Sequence, residues 1–224
     1  MAKNDFVADI PQNYEQKCLC VLVLDVSGSM AGERIQQLNR GLDEFHRQIR
    51  ENYLVAQRLE ICLITFSTYI HCIQEPALIN QMVMPILKAQ DTTRLVDALR
   101  FAMGKVEERK QWYRQTGQSY YRPFIFLITD GAPDDDQDIK GLTIEVNEAV
   151  NNRKFMFYPI GVQDADMQVL TQISHPSAPP MMLRGLQFIE FFKWVSNSVD
   201  ILVKSNNGDK IKLPDISGWA ELDV

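Results

Sequence analysis

Two apolar runs, each closed by an aspartate, set the tightest limit on how this chain can fold. Residues 19 to 24 (Leu-Cys-Val-Leu-Val-Leu) end in Asp25, and Pro123 to Thr129 end in Asp130. Runs this continuous make strands buried on both faces, the habit of parallel sheets. A carboxylate at the end of such a strand faces the crevice beyond it, where open α/β sheets hold their ligands. Asp25 is followed by Val26-Ser27-Gly28-Ser29-Met30. Gly28 lets the backbone turn sharply, so Asp25, Ser27 and Ser29 can aim three oxygens at one point. Hard cations such as Mg²⁺, Ca²⁺ and Mn²⁺ take oxygen ligands of this kind. The first expectation is a divalent-metal site at the mouth of a parallel sheet.

The rest of the chain alternates between strand and helix patterns. Ile35, Leu38, Leu42, Phe45 and Ile49 form a helical stripe. Leu59 to Phe66 reads as a strand, joined through Ser67-Thr68 to another over Tyr69 to Gln74. So short a connection forces an antiparallel pair. Residues 75 to 92 read as an irregular connection, and a helix follows from about Arg94 to Gln111. Trp112 to Arg122 is polar and Tyr-rich and reads as a surface excursion, a patch open to a partner. Asp134, Asp135 and Asp136 are placed to cap a helix carrying Ile139, Leu142, Ile144, Val146 and Val150. A strand over Lys154 to Gly161, a short helix over Asp164 to Ile173 and a short strand at Met181 to Leu183 follow. A last helix is traced by Phe188, Phe191, Phe192, Val195, Val199 and Leu202. The order predicts an α/β fold: a doubly wound, mostly parallel central sheet with one antiparallel edge strand and helices on both faces. Residues 1–16 read as a lead-in, 17–203 as one domain, and 204–224 as a tail folded back through Trp219.

The loop before the second long helix, Asp91-Thr92-Thr93-Arg94, opens at the same edge as Asp25 and Asp130. Asp25, Ser27, Ser29, Thr93 and Asp130 together offer two carboxylates and three hydroxyls. Two negative charges only just neutralise a divalent ion, and hydroxyls donate weakly. Such an ion stays electrophilic and seeks one more anionic oxygen, such as a partner's Asp or Glu.

Several function classes are excluded or disfavoured. A net charge of −6, with no Lys/Arg block, gives no electrostatic footing for nucleic acid or an anionic membrane. The four cysteines, Cys18, Cys20, Cys62 and Cys72, read as buried thiols of a reducing compartment. The first residues lack a signal core, so a cytoplasmic location is expected. Neither a G-x-x-x-x-G-K-[ST] loop nor a G-x-G-x-x-G fingerprint is present.

Asp25-Val26-Ser27-Gly28-Ser29 resembles the D-x-S-x-S signature of von Willebrand factor A (vWA) domains. Thr93 in Thr-x-Leu-x-x-Ala-Leu and Asp130 in Ile-Thr-Asp-Gly match the downstream motifs, over roughly residues 17 to 203. The resemblance implies a metal-ion-dependent adhesion site (MIDAS) of Asp25, Ser27, Ser29, Thr93 and Asp130. It also implies a divalent cation, most often Mg²⁺, and a protein partner presenting an Asp or Glu as the last ligand. Tyr121 to Gly131 and Phe191-Phe192-Lys193-Trp194-Val195-Ser196 resemble the bacterial TerY-type branch. That branch implies tellurite-resistance and stress-response clusters, whose kinase-like protein or phosphatase would be the partner. The sequence departs from the family where Gly-Gly often precedes the metal threonine, since Asp91-Thr92 stand there. Asp91 then adds a charge beside the ion, or Thr92 competes as ligand; the family register favours Thr93.

Three functions fit these residues. The first is a metal-dependent protein-interaction module with no catalytic residue. The second is a Mg²⁺-dependent phosphotransferase or phosphatase using Asp25 as nucleophile. Ser27 cannot serve as the general acid/base that haloacid-dehalogenase-type enzymes place two residues after theirs. The third is a structural protein that binds no ion.

Overall fold

The computed structural model describes residues 13–90, 92–130, 133–205 and 214–222. The strands among them are β1 (Cys18–Asp25), β2 (Leu59–Phe66), β3 (Ile70–Leu78), β4 (Phe124–Thr129), β5 (Met156–Val162), β6 (Met181–Leu183) and β7 (Ala220–Leu222). The helices are α1 (Glu33–Glu51), α2 (Tyr53–Arg58), α3 (Leu95–Thr116), α4 (Ile139–Asn151), α5 (Met167–Ile173) and α6 (Phe188–Lys204). One sheet runs in the order β3-β2-β1-β4-β5-β6-β7. The five strands from β2 to β6 in that order pair in parallel, and β3 lies antiparallel to β2 as expected. The tail adds β7, antiparallel to β6, at the far edge.

Period-two alternation in β1 decides the layers. Cys18, Cys20, Leu22 and Leu24 face a core shared with α1, α2 and α6, while Leu19, Val21 and Val23 face one shared with α3, α4 and α5. Every residue of β1 is buried, which is what a strand covered on both faces requires. The chain leaves β1 for β2 on one side, then crosses back to β4 on the other. The crevice beyond the carboxyl ends of β1 and β4 is therefore a topological switch point.

The α6 stripe read from sequence is core: Phe188, Phe191, Phe192 and Trp194 are all buried. Phe192 meets Phe45 of α1 with ring centroids 5.3 Å apart. Gly41 makes this contact close, since a Cβ there would lie 2.9 Å from both Phe188 Cβ and Phe192 Cδ2. Gly41→Val should therefore overpack the α1–α6 seam and cost about 1–3 kcal/mol in urea denaturation. Trp219 packs in the same layer, 5.0 Å from Phe191 and 5.3 Å from Trp194 between ring centroids.

Some expectations change. Trp112 to Thr116 is no surface excursion: α3 continues to a left-handed cap at Gly117, φ 70°. Tyr113 is fully buried and stacks on Tyr120 at 4.9 Å, so the proposed aromatic patch is partly core. The strand expected to stop at Gln74 runs on to Leu78 through Pro76, which an edge strand tolerates. Asp138, not the Asp134–Asp136 run, caps α4 by accepting from the Gly141 N–H at 2.9 Å. Asp136 instead takes both 2.8 Å bonds from Arg94. The helix α2, opened by the Asn52 side chain, has too few residues to show a periodic stripe. Among the described residues no helix is long and apolar enough to cross a membrane.

Candidate metal centre

Asp25 is the last residue of β1, and the chain turns at once into a single 3-10 turn over Gly28–Met30. The turn folds Ser27 back on the strand end. Its N–H donates to Asp25 Oδ1 at 2.8 Å. The hydroxyl of Thr129, which ends β4, donates to Asp25 Oδ2 at 2.5 Å. Asp25 is thus locked between the two strands that flank the switch point, with no exposed surface. Burial pushes its carboxyl pKa up to about 6. The bonds from Ser27 and Thr129 pull it down less than burial lifts it, and the charge of Asp130 lifts it further.

The hydroxyls continue the line. Ser27 Oγ and Ser29 Oγ lie 3.0 Å apart, and Ser29 Oγ donates to Asp130 Oδ1 at 2.7 Å. Asp130, one residue beyond β4, is buried. One chain of hydrogen bonds therefore links Thr129, Asp25, Ser27, Ser29 and Asp130.

The third loop is laced to the same strand ends. Gln90 N–H donates to Val26 O at 2.7 Å, and Arg94 N–H to Ser67 O at 2.9 Å. Within it Thr93 is buried, and its carbonyl accepts from Gln137 Nε2 at 2.7 Å. Thr92 is exposed, with its hydroxyl 3.0 Å from that of Thr68. This geometry favours Thr93 over Thr92 as the inward-facing threonine. The Asp91 expectation lies outside the described residues.

The donor set fits a small hard cation. Around a six-coordinate ion with oxygens at about 2.1 Å, neighbouring ligands lie about 3 Å apart, the spacing the hydroxyls and Asp130 already hold. Among the described residues no group of three or more His, Cys, Asp and Glu is placed to hold a metal. An ion here would rest on two carboxylates and neutral hydroxyls. Asp25 is poorly suited to nucleophilic attack, because it is buried and both its oxygens already accept hydrogen bonds.

Two residues that sequence reasoning missed shape the site. Thr129 was read only as a strand end, although its place beside Asp130 hinted at it. Arg34 carried no sequence signal. It sits in the first turn of α1, and its Nη1 donates to Asp130 Oδ2 and, at 3.3 Å, to Ser29 O.

The sequence matches the model of the von Willebrand factor type A domain over residues 20–188. Among solved structures, the chain resembles an ArnB paralog from Sulfolobus acidocaldarius, with 16% identity and a TM-score of 0.57 over 83% of this chain and 46% of that one. It also resembles the open conformation of the pilus adhesin SpaC from Lactobacillus rhamnosus GG, with 15% identity and a TM-score of 0.64 over 85% of this chain and 31% of that one. A third likeness is the von Willebrand factor domain of a type V pilus tip protein from Porphyromonas gingivalis. There the identity is 9% and the TM-score 0.56, over 88% of this chain and 99% of that one. The chain thus spans less than half the length of the first two. At these identities the likeness is one of fold. No curated protein matches the sequence.

Proposed function

The chain belongs to the von Willebrand factor type A domain family, and from that premise we propose that it is a metal-dependent protein-interaction module. Domains of this family generally mediate protein–protein contacts, and two of the structural relatives above come from pili. The observation that carries the reading is the line of oxygens Ser27 Oγ–Ser29 Oγ–Asp130 Oδ1, held at ligand spacing over the switch point beside Asp25, which the Ser27 N–H fixes in place. Asp25, Ser27, Ser29, Thr93 and Asp130 would hold a divalent cation, Mg²⁺ first among candidates. The cation supplies a positive centre short of one ligand. Neutral hydroxyls leave that charge unsatisfied, so the exposed side of the site favours a carboxylate from a partner protein. The partner would be a kinase-like protein or phosphatase of a tellurite-resistance or stress-response cluster, on the resemblance of residues 121–131 and 191–196 to the TerY-type branch.

Titration calorimetry with Mg²⁺ and Mn²⁺ tests the site, and one site per chain is expected. Ser27→Ala combined with Ser29→Ala should weaken the ion by about 100-fold or more, since it removes two of the oxygens. A partner captured from the host lysate in Mg²⁺ should be released by EDTA and lost with the double variant. Absence of both heat and thermal stabilisation at millimolar metal would remove the metal from the reading. A partner retained in EDTA would remove the metal from the contact.

A further inference from the structure

Arg34, on α1, ties the end of β4 to the loop that follows β5, the strand that pairs with β4 up to Thr129–Gly161. Its Nη1 donates to Asp130 Oδ2, and its Nε to Gln163 Oε1. Its Nη2 donates to Asp164 Oδ2 at 2.7 Å. Asp130 is a carboxylate with no exposed side-chain surface, while the Arg34 side chain is 20% exposed and Asp164 85% exposed. The guanidinium therefore reaches from solvent into the site through one planar fork. On the far side it is held by the β5–α5 loop, where Gln163 sits at φ +49°, a left-handed conformation that a non-glycine residue adopts at a cost.

Asp130 has one oxygen on Ser29 and the other on Arg34. Without Arg34, Asp25 and Asp130 would face each other across the site as two uncompensated negative charges. With it, one of the two is neutralised from within the chain. Any divalent ion must then share Asp130 with a resident cation or displace it.

We propose that Arg34 is an internal counter-cation that competes with the divalent ion for Asp130, so that loading the ion loosens the tie between Asp130 and the β5–α5 loop. This inference rests on the metal reading above. The long, partly exposed side chain can swing to solvent while Asp164 still attracts it. The loop at Gln163–Asp164 then moves free of the site when the ion arrives. An unloaded site is held shut by Arg34, and a loaded one presents a positive rim to the partner's carboxylate.

The test measures Mn²⁺ affinity by calorimetry and metal-free thermal midpoint in wild type, Arg34→Ala and Arg34→Lys. Removing a unit charge a few ångströms from the ion should tighten Mn²⁺ binding by about tenfold in Arg34→Ala. The same variant should melt earlier than wild type without metal, because Asp130 loses its partner. Arg34→Lys keeps the charge but cannot make the three-way fork, so its affinity should stay near wild type. Opposite movement of affinity and stability separates competition from simple support of the fold. Mn²⁺ binding by wild type with equal or weaker binding in Arg34→Ala would overturn the inference and leave the metal reading standing. Binding by neither protein would overturn both. Binding seen only in Arg34→Ala would support the inference in its strongest form.

Discussion

Asp25→Asn should give a protein that no longer responds to Mg²⁺ yet is more stable than wild type at pH 7 without metal. The folded chain holds the Asp25 carboxyl at about 6, chiefly by burial, against 3.8 for an ordinary aspartate. Below pH 3.8 the group is protonated in both states and its burial costs nothing in charge. As the pH rises the unfolded chain ionises first, so folding is progressively penalised until the folded carboxyl also ionises near pH 6. Above that the penalty is constant, and a gap of about two pH units corresponds to about 3 kcal/mol. The asparagine amide is uncharged and nearly the same shape. Its oxygen can accept from the Ser27 N–H, and its NH₂ can donate to the Thr129 hydroxyl after that hydroxyl rotates. Urea denaturation of metal-free wild type should therefore show this contribution to stability falling between pH 4 and pH 6, and the variant should lack it. Added Mg²⁺ should restore wild type by about 2.7 kcal/mol when present at about 100 times its Kd, and leave the variant unmoved. A variant still stabilised by Mg²⁺ would show that Asp25 is not needed to hold the ion.

The same features explain what could be read from the chain before its structure. The parallel core was legible because Leu19 to Leu24 and Phe124 to Ile128 are continuous apolar runs, as strands buried on both faces require. The carboxylates at their ends were legible because strand ends are fixed points of an α/β sheet. Thr93 was harder, since its loop has no period. That loop is held by the Gln90 N–H on Val26 O, the Arg94 N–H on Ser67 O and the Gln137 side chain on Thr93 O, none of which leaves a mark in sequence. Arg34 was invisible for a different reason. On the helix it occupies an ordinary polar position, and its partners lie 96 and 130 residues away. The Tyr-rich stretch misled because Tyr113 is amphipathic. Composition read it as surface, whereas its ring is core and its hydroxyl has a buried partner.

That buried partner is Glu60, and Glu60→Ala should be the most damaging single change outside the site. Glu60 pairs with Leu19 and Leu78 near the start of β2, about 20 Å along the strand from the metal edge. Its carboxylate accepts from Arg109 Nε and Nη2, both at 2.7 Å, and from Tyr113 OH at 2.6 Å. Its side chain is 3% exposed. The Arg109 guanidinium lies 3.8 Å from the centre of the Trp112 ring, so it is stacked as well as paired. Lys17, also buried, turns instead to the carbonyls of Asn13 and Glu15, and burial holds its pKa below the usual lysine value. The sheet here closes over one acid with three donors. Such an arrangement is weak evidence of net stabilisation, because removing all these charges from water is itself expensive. Removing the acid alone is another matter. Glu60→Ala strands Arg109 and the Tyr113 hydroxyl without their acceptor and opens a cavity, at an expected cost of about 3–5 kcal/mol. Glu60→Gln keeps the shape and one acceptor and should cost roughly half as much. Urea denaturation reads both, and Mn²⁺ titration of the Gln variant should give the wild-type affinity. A change in that affinity would mean that the two ends of the sheet are coupled. Two routes are open to such coupling: β2 and β1, whose residues are paired one to one from Cys18–Leu59 to Asp25–Phe66, and α3, which carries Arg109 and Tyr113 and starts two residues after Thr93.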